Sequence, residues 1–505
     1  MDKRTTLQQM TFGARVAEDE AAQLHAYFVE TDLWRRIFAG EIDVVKGAKG
    51  TGKSALYALL LDRQNDLFDR GILLIPAENP RGTPAFSSLV LDPPASEEDF
   101  RNLWKLYFLS LVANTLRDYR ITNDAARTLI AALTAAHLLP YGSTLTQRLR
   151  AALDYIRSLT HVSTIEPSVG LDPSTGLPTA SAKISLREPS SADRARGHVS
   201  IDDLLGQANI ALSKEHLHVW IVIDRLDVAF AESPELEANA LRALFRVYLD
   251  LVDYDAVTPK IFLRSDIWKR ITAGGFREAS HIVRDAQITW NKESLLNLVV
   301  RRILRNAAVR DRYSVGEQTT LLDTHKQEEL FYRLFPDQVD NGPNRPKTFE
   351  WMLSRTRDGT EETAPRELIH LLSAALTTQL QRLEVGTSEL SEEGDTLFER
   401  ATLREALPDV SRVRLEQTLY AEYPTLRQWL ERLDREKTEQ TPETLADIWD
   451  VPEAEALRIA TELHEIGFFE RRGPKAAPNF WVPFLYRPAL HLVQGSADPD
   501  LPLLR

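Results

Sequence analysis

Residues 41–62 read EIDVVKGAKGTGKSALYALLLD, a short β-rich run, a glycine-rich loop and an apolar helix in direct succession. Within it, Gly47-Ala48-Lys49-Gly50-Thr51-Gly52-Lys53-Ser54 satisfies the phosphate-loop pattern at every fixed position. Glycines at 47, 50 and 52 let the backbone curl until successive N–H groups point inward at phosphate oxygens. Lys53 then places an ammonium between β- and γ-phosphates, and the Ser54 hydroxyl can ligate Mg²⁺. The helix that begins near Lys53 adds the positive end of its dipole, with Ala55 counted among the nucleotide contacts. A chance glycine-rich turn would lack the flanking context found here, an apolar strand over Ile42 to Val45 and an apolar helix over Ala55 to Leu61. The stretch predicts a site for ATP and Mg²⁺.

Outward from the loop, strands alternate with helices. GILLIPAEN (71–79), HVWIVID (218–224), PKIFLR (259–264) and AQITW (286–290) read as strands. Helices are expected over 13–38, 99–118, 123–157 and 234–252. That order implies a parallel sheet covered on both faces. Strands 71–79 and 218–224 are separated by far more than one crossover helix, so an insertion is expected at about 99–200. Within it, SVGLDPSTGLPTASAKISL has the turn signals of a β-hairpin or a mobile loop. From 291 to 385 the pattern is almost wholly helical, broken by FPDQVDNGPNRPK, and helices continue over 400–436. The predicted organisation is a helical lead (1–30), an α/β phosphate-loop core (31–290), a helical lid (291–399) and a winged-helix-like region (400–505).

Asp224 ends the apolar run His218 to Ile223, where a carboxylate can hold the Mg²⁺ shell through water or merely cap the next turn. Many ATPases follow this aspartate with a glutamate that polarises the attacking water; here the residue is Arg225. Asp227 is the nearest acid for that role, or a helix cap. Arg264, at the end of Ile261-Phe262-Leu263, could test the γ-phosphate or pair with Asp266. Arg366, in Ala364-Pro365-Arg366-Glu367-Leu368, opens a helix from which a guanidinium could fold over the β- and γ-phosphates. Arg277 and Arg284 stand where a finger serving a neighbouring subunit could sit.

Near the end of the chain, Leu457, Ile459, Ala460, Leu463 and Ile466 form an apolar helical stripe, and Gly467 stops it. Two short helices followed by strands around a basic turn (Arg471, Arg472, Lys475) give the order expected of a winged helix. The presumed recognition helix carries Glu453, Glu455, Glu462 and Glu465 against Arg458, which repels phosphate. A packing or partner-docking role is therefore favoured over DNA contact, and Trp481, Phe484 and Tyr486 read as core.

Across its 505 residues the chain has a net charge of −13, which excludes a surface that is basic overall and leaves nucleic acid only a local patch. With no cysteine, disulfides and thiolate metal sites are excluded. The eleven histidines are scattered without a metal-binding pair. No apolar run approaches membrane length, and the opening MDKRTTLQQMTFGARVAEDE lacks a secretory pattern, so no membrane association and a cytoplasmic location are expected.

Taken together, the phosphate loop, IVIDRLD, KIFLRSD, APREL and the terminal module resemble the AAA+/STAND side of the P-loop ATPases. The opening FGARVAEDEAAQLHAYFVET followed by GAKGTGKSAL is similar to bacterial members near the KAP and origin-recognition-type branches. The resemblance covers about 1–375 well and the remainder in outline. It implies an ATP-driven switch with a helical lid, working as a homo-oligomer or with a separate effector protein, in anti-phage defence or DNA transactions. Two further classes stay open: a non-hydrolysing ATP-dependent scaffold, and a DNA-stimulated ATPase.

Overall fold

In the computed structural model, residues 2–14, 27–78, 93–94, 96–161, 183–226, 234–361, 363–391, 394–474 and 477–496 are described. Strands β1 (Val44–Gly47), β2 (Ile72–Pro76), β3 (Lys183–Ser185), β4 (His198–Ser200), β5 (His218–Ile223), β6 (Val257–Arg264) and β7 (Asp285–Gln287) occur in the first part of the chain. Five of them form one sheet in the order β2-β5-β6-β1-β7, and every pairing in it is parallel. Strands buried on both faces must be apolar along their whole length. Val219, Ile221, Val222, Ile223, Ile261 and Leu263 meet that demand. The fold is α/β, with a central parallel sheet flanked by helices.

The long connection between β2 and β5 shares the core of the sheet. Ser96 caps the helix Glu97–Asp118 by accepting from the Asp99 N–H, with three acids in the first turn. Phe100, Leu103, Trp104, Tyr107 and Phe108 from that helix are buried with Leu73, Val219 and Ile221 in one cluster. Lys105, also buried, is paired with Asp202 at 2.6 Å and Asp250 at 3.0 Å. The helix expected over 123–157 is two, Asp124–Ala135 and Leu145–His161. His137 and Gly142, both at positive φ, flank Pro140 and turn the chain between them. Of the stretch expected to be a hairpin or a mobile loop, residues 168–182 lie outside the described ones; at its end β3 pairs in parallel with β4, the short helix Ser191–Ala195 lying between them in sequence.

Contacts divide the chain into two compact units: Asp32–Gly47 with Lys53–Gln287, and Met1–Thr31 with Ala48–Gly52 and Ile288–Arg505. The continuous helix expected over 13–38 is interrupted: residues 13, 14 and 28–31 are not helical, and Asp32–Phe38, which belongs to the first unit, forms a helix of its own. Ahead of that range, the Asn306 side chain accepts from the Thr11 N–H at 2.8 Å and donates to the Thr11 carbonyl at 3.0 Å, satisfying that peptide.

Helices Lys292–Leu304, Thr324–Leu334, Thr348–Thr356, Pro365–Glu384 and Arg400–Arg414 bury Val299, Phe331, Met352, Leu372 and Leu403 together. Beyond them come β8 (Lys437–Gln440), helices Pro442–Trp449 and Glu453–Glu465, then β9 (Glu470–Arg472), β10 (Asn479–Trp481) and β11 (Val493–Ser496). These strands form a sheet in the order β11-β8-β10-β9. Ile459, Ala460 and Leu463 are buried as expected, whereas Leu457 and Ile466 are half-buried.

Glu399, the residue before Arg400–Arg414, ties its neighbourhood together. Its carboxylate accepts from the Leu390 N–H at 3.0 Å and Arg382 Nε at 2.8 Å, and from Ser388 and the Glu389 N–H. Burial alone would raise its pKa, but these donors outweigh it and hold the carboxyl below its ordinary value. A depressed folded pKa stabilises the fold above the unfolded value and ceases to do so as pH falls through the folded one. Glu399→Gln should therefore lower stability by about 1.5–3 kcal/mol at pH 7. Urea titrations should show the gap between variant and parent closing as pH drops below 4.

Candidate nucleotide site

In the first unit, β1 delivers Gly47 to the carboxyl edge of the sheet, in register with Arg264 on β6. Lys53 opens the helix Lys53–Asp62, and its Nζ donates to the Gly47 carbonyl at 2.8 Å. Asp224 follows β5 at the same edge and is 4% exposed. Tyr57 stands one helical turn beyond Ser54. Burial raises the pKa of its phenol, and the charges of Asp224 and then Glu78 raise it further. The hydroxyl thus senses Asp224 from the helix that carries Ser54. A carboxylate and a hydroxyl are hard oxygen donors of the kind Mg²⁺ takes, so the residues fit that ion. Among the described residues no group of three or more His, Asp or Glu is arranged to hold a metal.

Arg264 ends β6, and its guanidinium forks onto Asp266 at 3.0 and 2.8 Å, the pairing that was the alternative to a sensor role. Arg225 directly follows Asp224 with φ +61°, so the chain leaves strand geometry at once. Asp227 lies outside the described residues. The two finger candidates do not share a setting with the loop. Arg277 is exposed at the start of a short 3₁₀ helix. Arg284 binds Asp43 at 2.7 Å, before the amino end of β1 and therefore at the edge opposite the loop. There it braces the buried pair Lys260–Asp43, whose separation is 2.7 Å.

In the second unit, the middle of the loop is held by residues far along the chain. Thr51 Oγ1 donates to the Ala48 carbonyl at 2.8 Å, and Trp290 Nε1 donates to the Thr51 carbonyl at 2.9 Å. Lys49 forms an ion pair with Glu422. Gly50 and Gly52 take φ of +83° and +103°, the left-handed region in which a side chain is strained. Gly47 does not; it has strand geometry and contributes its carbonyl. A methyl group on Gly50 would lie 3.1 Å from Arg366 Cβ and 3.3 Å from Ala364 Cβ. The APREL helix start therefore packs directly on the loop.

The next residue anchors that helix start. Glu367 accepts from Arg414 Nη1 at 2.8 Å, while Arg414 also reaches Asp358 and the Tyr486 hydroxyl at 3.4 Å each. Burial disfavours the Arg414 cation, but Tyr486, Glu367 and Asp358 more than offset it and hold its pKa above the ordinary value. Sequence reading missed Trp290, Arg414 and Glu422, because none belongs to a local pattern.

The terminal module is acidic where it was expected to be. Arg458 is tied to Glu455 at 2.7 Å and Glu462 at 3.3 Å. Arg472 pairs with Glu470 at 2.6 Å and lies 4.1 Å over the Trp481 ring, and Arg487 covers the same ring at 4.3 Å. Tyr486 is fully buried, Trp481 and Phe484 half-buried. Lys475 lies outside the described residues.

No family model matches the chain, and no curated protein matches it. Solved structures of the Aeropyrum pernix ORC2 protein are similar at 12% identity. For its ADPNP–ADP complexes, 94% of each chain is covered with a TM-score of 0.28. For its ADP form, the match covers 93% of this chain and 90% of that one with a TM-score of 0.29. At that level the functional assignment rests on the residues of this chain. Among the described residues no helix is long and apolar enough to cross a membrane.

Gly50→Ala should destabilise the protein by about 1–3 kcal/mol, from the left-handed backbone and the crowding against Arg366. Chemical denaturation checks this, with Gly386→Ala as a comparison. That residue also has positive φ but has no atom within 4 Å of the added methyl, so it should cost less.

Proposed function

We propose that this chain is an ATP-binding and ATP-hydrolysing molecular switch of the AAA+/STAND type. The observation that carries the reading is the loop itself. A full phosphate-loop sequence leaves a buried parallel strand, turns through left-handed Gly50 and Gly52, and enters the helix at Lys53. In this reading Gly47 to Ala55 cradle the triphosphate, and Lys53 neutralises charge on the β- and γ-oxygens. Ser54 and Asp224 would hold Mg²⁺, which supplies further neutralisation of the phosphates when bound. Arg264 and Arg366 would exchange their present contacts for the γ-phosphate region, making backbone position depend on nucleotide state. The helical lid and the winged-helix arrangement of the terminal module would transmit that state to a second copy of the chain or an effector protein. A cytoplasmic anti-phage defence or DNA-linked complex is the setting the family resemblance supports.

The non-hydrolysing scaffold draws support from Arg225 at the position of the usual glutamate and from the Lys49–Glu422 pair that holds the loop. Stimulation by DNA is opposed by the acidic helix Glu453–Glu465, whose arginine is already paired.

Titration calorimetry should detect ATP uptake in the presence of Mg²⁺, and Lys53→Ala should weaken it about 10- to 100-fold through loss of a charge-assisted contact. Absence of heat with folded protein and either ATP or GTP would sink the nucleotide reading. Phosphate release measured on the same samples separates switch from scaffold: turnover supports the first, retention without turnover the second.

A further inference from the structure

Resting on the ATPase reading above, we propose that Glu78 is the carboxylate that accepts a proton from the attacking water. It would do from β2 what a glutamate at position 225 would do from β5. The geometry is that of adjacent parallel strands. β2 and β5 pair from Ile72 with His218 to Pro76 with Val222, and the Ala77 N–H extends the ladder to the Val222 carbonyl at 2.9 Å. Continued two residues further, this register would set Glu78 beside Asp224, and the Tyr57 phenol, which feels the charges of both, places them in one neighbourhood. Both leave the carboxyl ends of their strands, the edge of an open α/β sheet where ligands bind.

Glu78 is 1% exposed, although glutamate is among the residues least often fully buried. Its backbone is clamped. The Tyr57 hydroxyl donates to the Glu78 carbonyl at 3.1 Å, and the Tyr107 hydroxyl to the Ala77 carbonyl at 2.7 Å. Because Tyr57 belongs to the helix that begins at Lys53, the clamp fixes Glu78 to the element that carries the loop's lysine and serine. The Tyr57 phenol feels Asp224 and Glu78 together, and the Tyr107 phenol feels Glu78 after burial itself. A backbone held this way keeps the root of the side chain in place, which limits the reorganisation needed when the carboxylate acts.

The step is hydrolysis of the terminal anhydride. The water oxygen bonds to the γ-phosphorus as the bond from that phosphorus to the β–γ bridging oxygen breaks. The bonding pair leaves with ADP, and the water proton passes to the Glu78 carboxylate, from which it returns to solvent.

Two substitutions separate a base from a structural carboxylate. Glu78→Gln keeps shape but not basicity; Glu78→Asp keeps the carboxylate but shortens its reach. The expectation is ATP affinity within about threefold of the parent for both. Single-turnover hydrolysis should fall on the order of 10²- to 10⁴-fold in Glu78→Gln, with partial recovery in Glu78→Asp. The inverse order, glutamine active and aspartate inactive, would show a packing role and overturn the proposal. So would near-parental hydrolysis in Glu78→Gln, with the ATPase reading left standing. A parent protein that binds ATP and never cleaves it would overturn both the base and the hydrolytic reading. If Glu78→Gln fails to fold, a folded Glu78→Asp decides: reduced but measurable cleavage supports the base, and none overturns it.

Discussion

A chain that leaves a buried strand and enters a helix within a few residues has to turn sharply while its N–H groups stay available. Residues 47–54 do this through left-handed backbone at Gly50 and Gly52, conformations that cost little only without a Cβ. The same absence of side chain admits the start of the helix Pro365–Glu384 against Gly50. Local backbone geometry and close packing by a distant helix therefore impose one requirement on one residue. Arg366, Trp290 and Glu422 gather around the loop's middle because that turn leaves its carbonyls and flanks accessible.

Each unit also holds a buried charged network, and each network sits where backbone position matters. In the first, Lys260 bonds Asp43 and the Ile42 carbonyl, with Tyr248 and Arg284 completing the shell of Asp43. This ties β6 to the entry of β1 and so helps hold the register that sets Gly47 opposite Arg264. In the second, Arg414 joins Glu367, Asp358 and Tyr486, linking the APREL helix start to the terminal module. Gly359 strengthens that link: its N–H donates to the Gly467 carbonyl at 2.6 Å. Buried ions are expensive unless several partners satisfy them, which makes such clusters intolerant of small displacements.

Much of the fold was legible because it rests on short-range rules. Apolar runs marked four strands of the main sheet, while β7 lies at 285–287 and shares only two residues with the strand expected at 286–290; the glycine spacing marked the loop with its flanking strand and helix. Where the helix expected over 123–157 failed, backbone at positive φ was responsible: His137 with Gly142 splits a long amphipathic pattern in two. Arg264 was found at its strand end, but its fork onto Asp266 could only be seen in three dimensions.

By itself, then, the sequence determined the apolar strands of the main sheet and the strand, glycine-rich turn and helix around residues 47–54, since a motif of consecutive residues carries its own geometry. Tertiary structure decided which strands are neighbours. Pairing β2 with β5, and inserting β6 between β5 and β1, follows from how apolar faces are buried across the whole unit. That choice sets the segments that follow β2 and β5 side by side and Arg284 at the far edge, outcomes that no local pattern encodes. Periodicity along a chain reports which side of an element is apolar, and says nothing of the partner that side will meet.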